Sequence, residues 1–194
     1  MPVTGLVVLL SAYLLGSIPF GIIFAKMVQG PDPRSAGSRN IGSTNVLRVV
    51  GKGAAAATLA GDIVKGFLAV KGAQYFGLPP AWVLLTGITV VLGHLFPIFL
   101  KFRGGKGVAT SFGVLGAIQP PAMLLTGILW AGTVWISRCV SLGSMIAFGL
   151  LPLTMNYLQP GRSSFVFSTS LAILIILRHK ENIIRLWNGT EHRI

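Results

Sequence analysis

Apolar residues fall in long blocks along the chain, at residues 3–24, 79–100, 121–136, 142–158 and 165–177. A bilayer-spanning helix needs about 20 mostly apolar residues, so the blocks predict membrane helices. A secretory signal peptide imitates the first block but not the series. A second span is predicted over about residues 53–71. It contains Asp62 and Lys65, which lie three apart, can pair on one helix face and cannot simply face lipid. The third span covers residues 79–100. Residues 108–119 give only 12 positions, about 18 Å of helix against a hydrocarbon core near 30 Å. This segment is tilted, re-entrant, or extended into the loop before it. Pro120 and Pro121 then turn the chain, and spans follow at about 121–137, 141–158 and 161–178. The expected fold is an all-α membrane protein with about seven transmembrane helices, or five plus a re-entrant pair. One multi-pass domain covers residues 1–194.

Charge orients this array. Lys and Arg number 16 against 4 Asp and Glu, for a net charge of +12, yet only 10% of residues are charged and 53% are hydrophobic. Soluble domains carry about 25% charged residues. In a soluble chain such basicity would point to nucleic acid; here the cations sit between apolar blocks, so no nucleic-acid partner is expected. They read as topology signals, contacts to anionic lipid, or binders of an anionic substrate. Both span counts are odd, which puts the termini on opposite sides. With the N-terminus outside, 13 of the 16 cations face the cytoplasm, and only Lys65, Lys71 and Arg162 do not. The positive-inside rule prefers that arrangement, which also gathers the polar loops on the cytoplasmic face. The single Cys139 excludes an intrachain disulfide framework.

Three polar segments carry candidate chemistry. Gly37-Ser38-Arg39-Asn40-Ile41-Gly42-Ser43-Thr44-Asn45 combines glycines with short hydroxyl and amide side chains, and Arg39 and Arg48 add charge. Phosphate oxygens need such donors at close range; the competing reading is a solvated loop of ordinary turn residues. Arg103-Gly104-Gly105-Lys106-Gly107 leads into Val108-Ala109-Thr110-Ser111. Its glycines let backbone approach an anion, Lys106 supplies a point charge, and the following helix presents its positive end. A basic topogenic loop would explain the cations but not three glycines around a lysine. The segment is not a P-loop, because Leu100 stands where the first glycine belongs and Gly107 follows the lysine. The third segment, Arg178-His179-Lys180-Glu181-Asn182-Ile183-Ile184-Arg185-Leu186, suits an interfacial amphipathic helix. It places His179 and Asn182 on one face where a span meets the cytosol, although a plain positive anchor explains it as well. Ser141 and Ser144 open a span, where they cap it or point inward. His94 is either a ligand contact or a helix–helix hydrogen bond.

Other chemistries are excluded. There is no His-Glu-x-x-His, no Gly-x-Ser-x-Gly, and no histidine with an acid five residues on. Four acids make a carboxylate pair or a metal cage improbable, so no metal and no cofactor are expected. Two non-enzymatic readings remain: a small organic-anion transporter, and a lipid-binding or assembly protein. A transporter would place ionisable groups near mid-membrane and show repeat symmetry, whereas the cations here gather at one face and no repeat is evident.

The segments together resemble the bacterial acyl-phosphate-dependent glycerol-3-phosphate acyltransferases. Gly16-Ser17-Ile18-Pro19-Phe20-Gly21 with the 37–45 loop resembles that family's first signature. His94-Leu95-Phe96-Pro97 running into Gly104-Gly105-Lys106-Gly107-Val108-Ala109-Thr110 resembles the second, and Arg178-His179 through Asn182 to Gly189 and Glu191 the third. Arg39 departs from the pattern, since the family usually has glycine after the serine. The resemblance implies a seven-helix enzyme of phospholipid biosynthesis in the bacterial inner membrane, with its site on the cytoplasmic side. It implies transfer of a fatty acyl group from acyl phosphate to the 1-hydroxyl of glycerol 3-phosphate, giving lysophosphatidate and phosphate. It carries over Ser38, Arg48, Lys106, Ser141, His179 and Asn182. Lys106 and Arg48 would meet phosphate charge, Ser38 and Ser141 would donate hydrogen bonds, and His179 and Asn182 would position glycerol 3-phosphate. Asn40, Asn45, Gly104 and Gly105 join them as substrate-binding residues of the two loops. The base is a substrate phosphate or His179, and the enzyme is expected to act as a monomer.

Overall fold

The computed structural model describes residues 2–194, and the described residues form eleven α-helices and one 3-10 turn. Contacts divide the chain into two compact units, one ending at Ala117 and one running from Ile118 to Ile194.

The first unit begins with α1 (Pro2–Gly16) and α2 (Phe20–Met27). The sequence reads as one span here, but the helix breaks at Ser17-Ile18-Pro19 and turns by 41°, because proline lacks an N–H and bars its predecessor from helical geometry. On α1, Val3, Leu6, Val7, Leu10 and Leu14 are exposed while Gly5, Val8, Ala12 and Gly16 are buried, an apolar face toward lipid opposite a small-residue face toward protein. A short helix that the apolar pattern does not announce follows, α3 (Ser43–Val49), and then α4 (Lys52–Tyr75). The buried face of α4 runs Thr58, Asp62, Lys65, Gly66, Ala69, Val70, Ala73, which is the 3–4 spacing of one helical stripe. Asp62 and Lys65 therefore point into the unit and pair at 2.8 Å, as their spacing predicts. Next comes α5 (Pro80–Leu95), which starts on a proline at its first position and ends before Pro97. After a 3-10 turn at Ile98–Leu100 the chain reaches α6 (Val108–Ile118). Helices α1 and α5 approach until Gly16 lies on the backbone of Val90 and Gly93 lies on that of Tyr13. In the same way Gly66 of α4 and Gly113 of α6 leave no room for a β-carbon. In a bilayer, which offers no hydrophobic drive between helices, such close backbone contact is a principal source of packing energy.

The second unit holds α7 (Pro120–Ser137), α8 (Val140–Gly149), α9 (Leu151–Leu158), α10 (Arg162–Arg178) and α11 (Lys180–Trp187). The span predicted over 141–158 is again broken and bent by 41°, just before Pro152. Helices α8 and α9 pack with α7 and α10. The chain end folds back, and the Ile194 amide donates to the Arg138 carbonyl at 2.9 Å.

Among the described residues, three helices are individually long and apolar enough to cross a bilayer, and five spans result if each bent pair counts as one. The protein is thus an all-helical membrane protein.

Candidate active site

In the first unit, the 37–45 loop is organised by Asn45. Its side chain is buried, donates to the carbonyls of Pro33, Ala36 and Asn40 at 2.7, 3.2 and 2.9 Å, and accepts the Ser38 amide at 2.8 Å. The side-chain amide of Asn45 is thus committed to the loop itself and holds its shape. Asn40 accepts the Gly42 amide at 2.8 Å, an Asx-type turn. Gly37 and Arg39 both take positive φ, +61° and +55°, which folds the loop tightly around half-buried Ser38. Arg48 is exposed in the last turn of α3.

The second loop folds back on the end of α5. The amides of Gly104 and Gly105 donate to the carbonyls of Leu95 and His94 at 3.2 and 3.1 Å. A β-carbon on Gly104 would strike the His94 carbonyl, and one on Gly105 would strike the His94 ring. The seat of the loop on α5 therefore requires both glycines. Gly107 has φ +85°. It releases the chain into α6, whose first turn presents N–H groups and positive helix-end potential. Half-buried Lys106 lies directly before that turn.

In the second unit, Ser141, Asn182 and Arg185 converge on Glu191. Ser141 donates at 2.9 Å and Asn182 at 2.7 Å to one carboxylate oxygen, and Arg185 Nε donates at 2.8 Å to the other. The Glu191 side chain is 6% exposed. Burial pushes its carboxyl up, but the three hydrogen bonds and the Arg185 charge outweigh that and hold it below the usual glutamate value. His179 is buried at the junction of α10 and α11. Its Nδ1 lies 2.8 Å from the Ile175 carbonyl. A carbonyl only accepts, so Nδ1 carries the hydrogen, and Nε2 is the nitrogen that gains or loses a proton.

Sequence reasoning selected Ser141 and Asn182 but assigned Glu191 no role. Two signals were available: its place at the end of the third signature, and rarity, since Glu191 is one of only four acids in the chain. Ser144, also singled out there, donates to the Val140 carbonyl at 2.9 Å and accepts from Trp130 at 3.2 Å. Among the described residues no cluster of three or more His, Cys, Asp or Glu is placed to hold a metal.

The helices define an integral membrane protein, and its loops are basic and rich in amide side chains. Residues 6–189 match the family model described as glycerol-3-phosphate acyltransferase. A protein of that name from Pectobacterium atrosepticum is 46% identical, with 100% of this chain and 91% of the relative covered. One from Klebsiella pneumoniae is 45% identical, covering 98% and 91%. Among solved structures, PlsY (YgiH), an integral membrane glycerol 3-phosphate acyltransferase in its glycerol 3-phosphate form, superposes with a TM-score of 0.93. The identity is 39%, over 98% of this chain and 96% of that one. The lysophosphatidic acid form gives 0.90 at 38% identity, over 98% and 95%. The chain belongs to the glycerol-3-phosphate acyltransferase family and is a membrane acyltransferase.

Proposed function

We propose that this enzyme transfers a fatty acyl group from acyl phosphate to the 1-hydroxyl of glycerol 3-phosphate, releasing lysophosphatidate and inorganic phosphate for phospholipid synthesis. The observation that carries the reading is the near full-length likeness to an enzyme solved in its glycerol 3-phosphate form. The chemistry of the loops supports it. Acyl phosphate is a mixed anhydride, already activated, so no protein nucleophile is needed; positioning and stabilisation of the departing phosphate suffice. The glycerol hydroxyl oxygen attacks the acyl carbon, the bond from that carbon to the phosphate oxygen breaks, and phosphate leaves with its electron pair. Lys106 and Arg48 meet phosphate charge and Ser38 supplies a hydrogen bond; Ser141, whose one hydroxyl hydrogen goes to Glu191, supplies another once substrate takes the place of that carboxylate. His179 and Asn182 position the acceptor. The hydroxyl proton goes to a substrate phosphate or to Nε2 of His179.

The full arrangement we propose is seven spans, or five with a re-entrant pair, with the N-terminus outside and the site on the cytoplasmic side of the bacterial inner membrane. The chain acts as a monomer and as one domain, in keeping with a family match from residue 6 to residue 189. The test is phosphate release from acyl phosphate by purified protein with and without glycerol 3-phosphate. Release that depends on glycerol 3-phosphate supports the reading; release indifferent to it, or none, overturns it.

A further inference from the structure

Three buried ionisable residues of the first unit have no part in the mechanism above. The side chains of Lys65, Asp62 and His94 are 1%, 4% and 5% exposed. Asp62 lies 2.8 Å from Lys65 and 3.4 Å from His94 Nδ1. Charges inside a membrane bundle are costly, and well-packed apolar residues of similar volume often stabilise a buried site as well or better. Stability is therefore a poor explanation for the trio. What a charged cluster supplies, and sliding apolar contacts do not, is direction.

Each end of the cluster reaches toward one of the two polar loops. The Lys65 ammonium donates at 3.0 Å to the Ile18 carbonyl, in the break between α1 and α2. It also lies 5.6 Å from the centre of the Phe20 ring, at the first residue of α2. One residue on, Gly21 presses on the Ile41 carbonyl in the middle of the 37–45 loop. At the other end, the His94 imidazole lies under Gly105, and the His94 carbonyl accepts the Gly105 amide at 3.1 Å. One continuous set of contacts therefore runs from the 37–45 loop through α2, Lys65, Asp62 and His94 to the loop that carries Lys106.

We infer that Asp62, Lys65 and His94 form an ionic brace that fixes the Lys106 loop relative to the 37–45 loop. The three are positioning residues for acyl transfer, an inference that rests on reading these loops as phosphate sites. Without the brace the loops keep their own donors but lose their mutual register, so kcat falls more than KM rises. The experiment uses the purified full-length enzyme in detergent, assayed with acyl phosphate and glycerol 3-phosphate. The double variant Asp62→Leu/Lys65→Met removes both charges at similar volume. It is expected to fold with a melting temperature near wild type and to lose about a hundredfold in kcat, the scale of a misplacement near 1 Å. His94→Asn, which keeps a polar group beside the Asp62 carboxylate, is expected to retain at least about tenfold more activity than His94→Leu, which leaves that carboxylate facing an apolar side chain. Wild-type kcat and KM in the double variant overturn the brace, as do equal activities of the two His94 variants. Should the double variant not fold, the His94 comparison decides alone. Wild-type enzyme run in parallel separates the claims: if it does not turn over acyl phosphate, the substrate reading falls, and this inference with it. Wild-type turnover matched by the variants overturns the brace only.

Discussion

Arg39 holds φ +55°, a left-handed conformation that costs an L-residue roughly 1–2 kcal/mol and glycine nothing. It is also the position where the family usually has glycine, so the departure now has a physical meaning. Glycine would relieve the strain and give back about 0.4–1 kcal/mol through its freedom in the unfolded chain. Arg39→Gly is thus expected to stabilise the protein by roughly 0.5–1 kcal/mol in thermal unfolding; a loss of stability would show that the loop does not adopt this turn. The proposed mechanism rests most on Lys106. Lys106→Ala should cut activity a hundredfold to a thousandfold, the loss of one electrostatic contact worth about 2.7–4 kcal/mol. It should leave the folded protein intact. Lys106→Arg should also lose most activity, because a planar guanidinium does not fit a site for a point charge. Near-normal phosphate release by Lys106→Ala would end the anion-site reading of this loop. Composition made the donors of both loops legible, but not which way each one faces. Asn45 turns inward because its amide meets Pro33, twelve positions earlier, and Gly104 and Gly105 lie against α5. Contacts of that kind leave no trace in local spacing.

The long spans were legible because hydrocarbon demands unbroken apolar stretches. Proline predicted where α5 and α7 begin, yet Pro19 and Pro152 broke two spans that hydropathy reads as continuous. The seven residues of α3 lack a long apolar period, so the apolar pattern does not announce a helix there. The α10–α11 junction makes a prediction of its own. Glu191 gathers Ser141, Asn182 and Arg185, and its folded pKa lies below its unfolded value. The stability it contributes is therefore fully present above the ordinary glutamate pKa, near 4.3, and is lost as pH falls through the lower folded value. Glu191→Gln keeps an acceptor for Ser141 and Asn182 but sets an amide N–H against Arg185. It should cost about 1.5–3 kcal/mol at pH 7, and the gap from wild type should close in acid. An unfolding midpoint that Glu191→Gln leaves unchanged at pH 7 would show that the carboxylate does not organise this junction.

The chain as a whole carries +12 in net charge on an apolar framework, and the distribution of its cations predicts the orientation. Single cysteines placed at Ser43 and Gly189, in a background lacking Cys139, should react with impermeant reagent only from the cytoplasmic side; labelling from outside intact cells would refute the topology. The most direct test of the account sets two acyl donors side by side on the purified protein with labelled glycerol 3-phosphate, in the presence of EDTA. Acyl phosphate should yield lysophosphatidate and phosphate in equal amounts, while the matching acyl-CoA yields little and no acyl adduct forms on Cys139 or a serine. Comparable turnover from acyl-CoA, or product from neither donor, would contradict it.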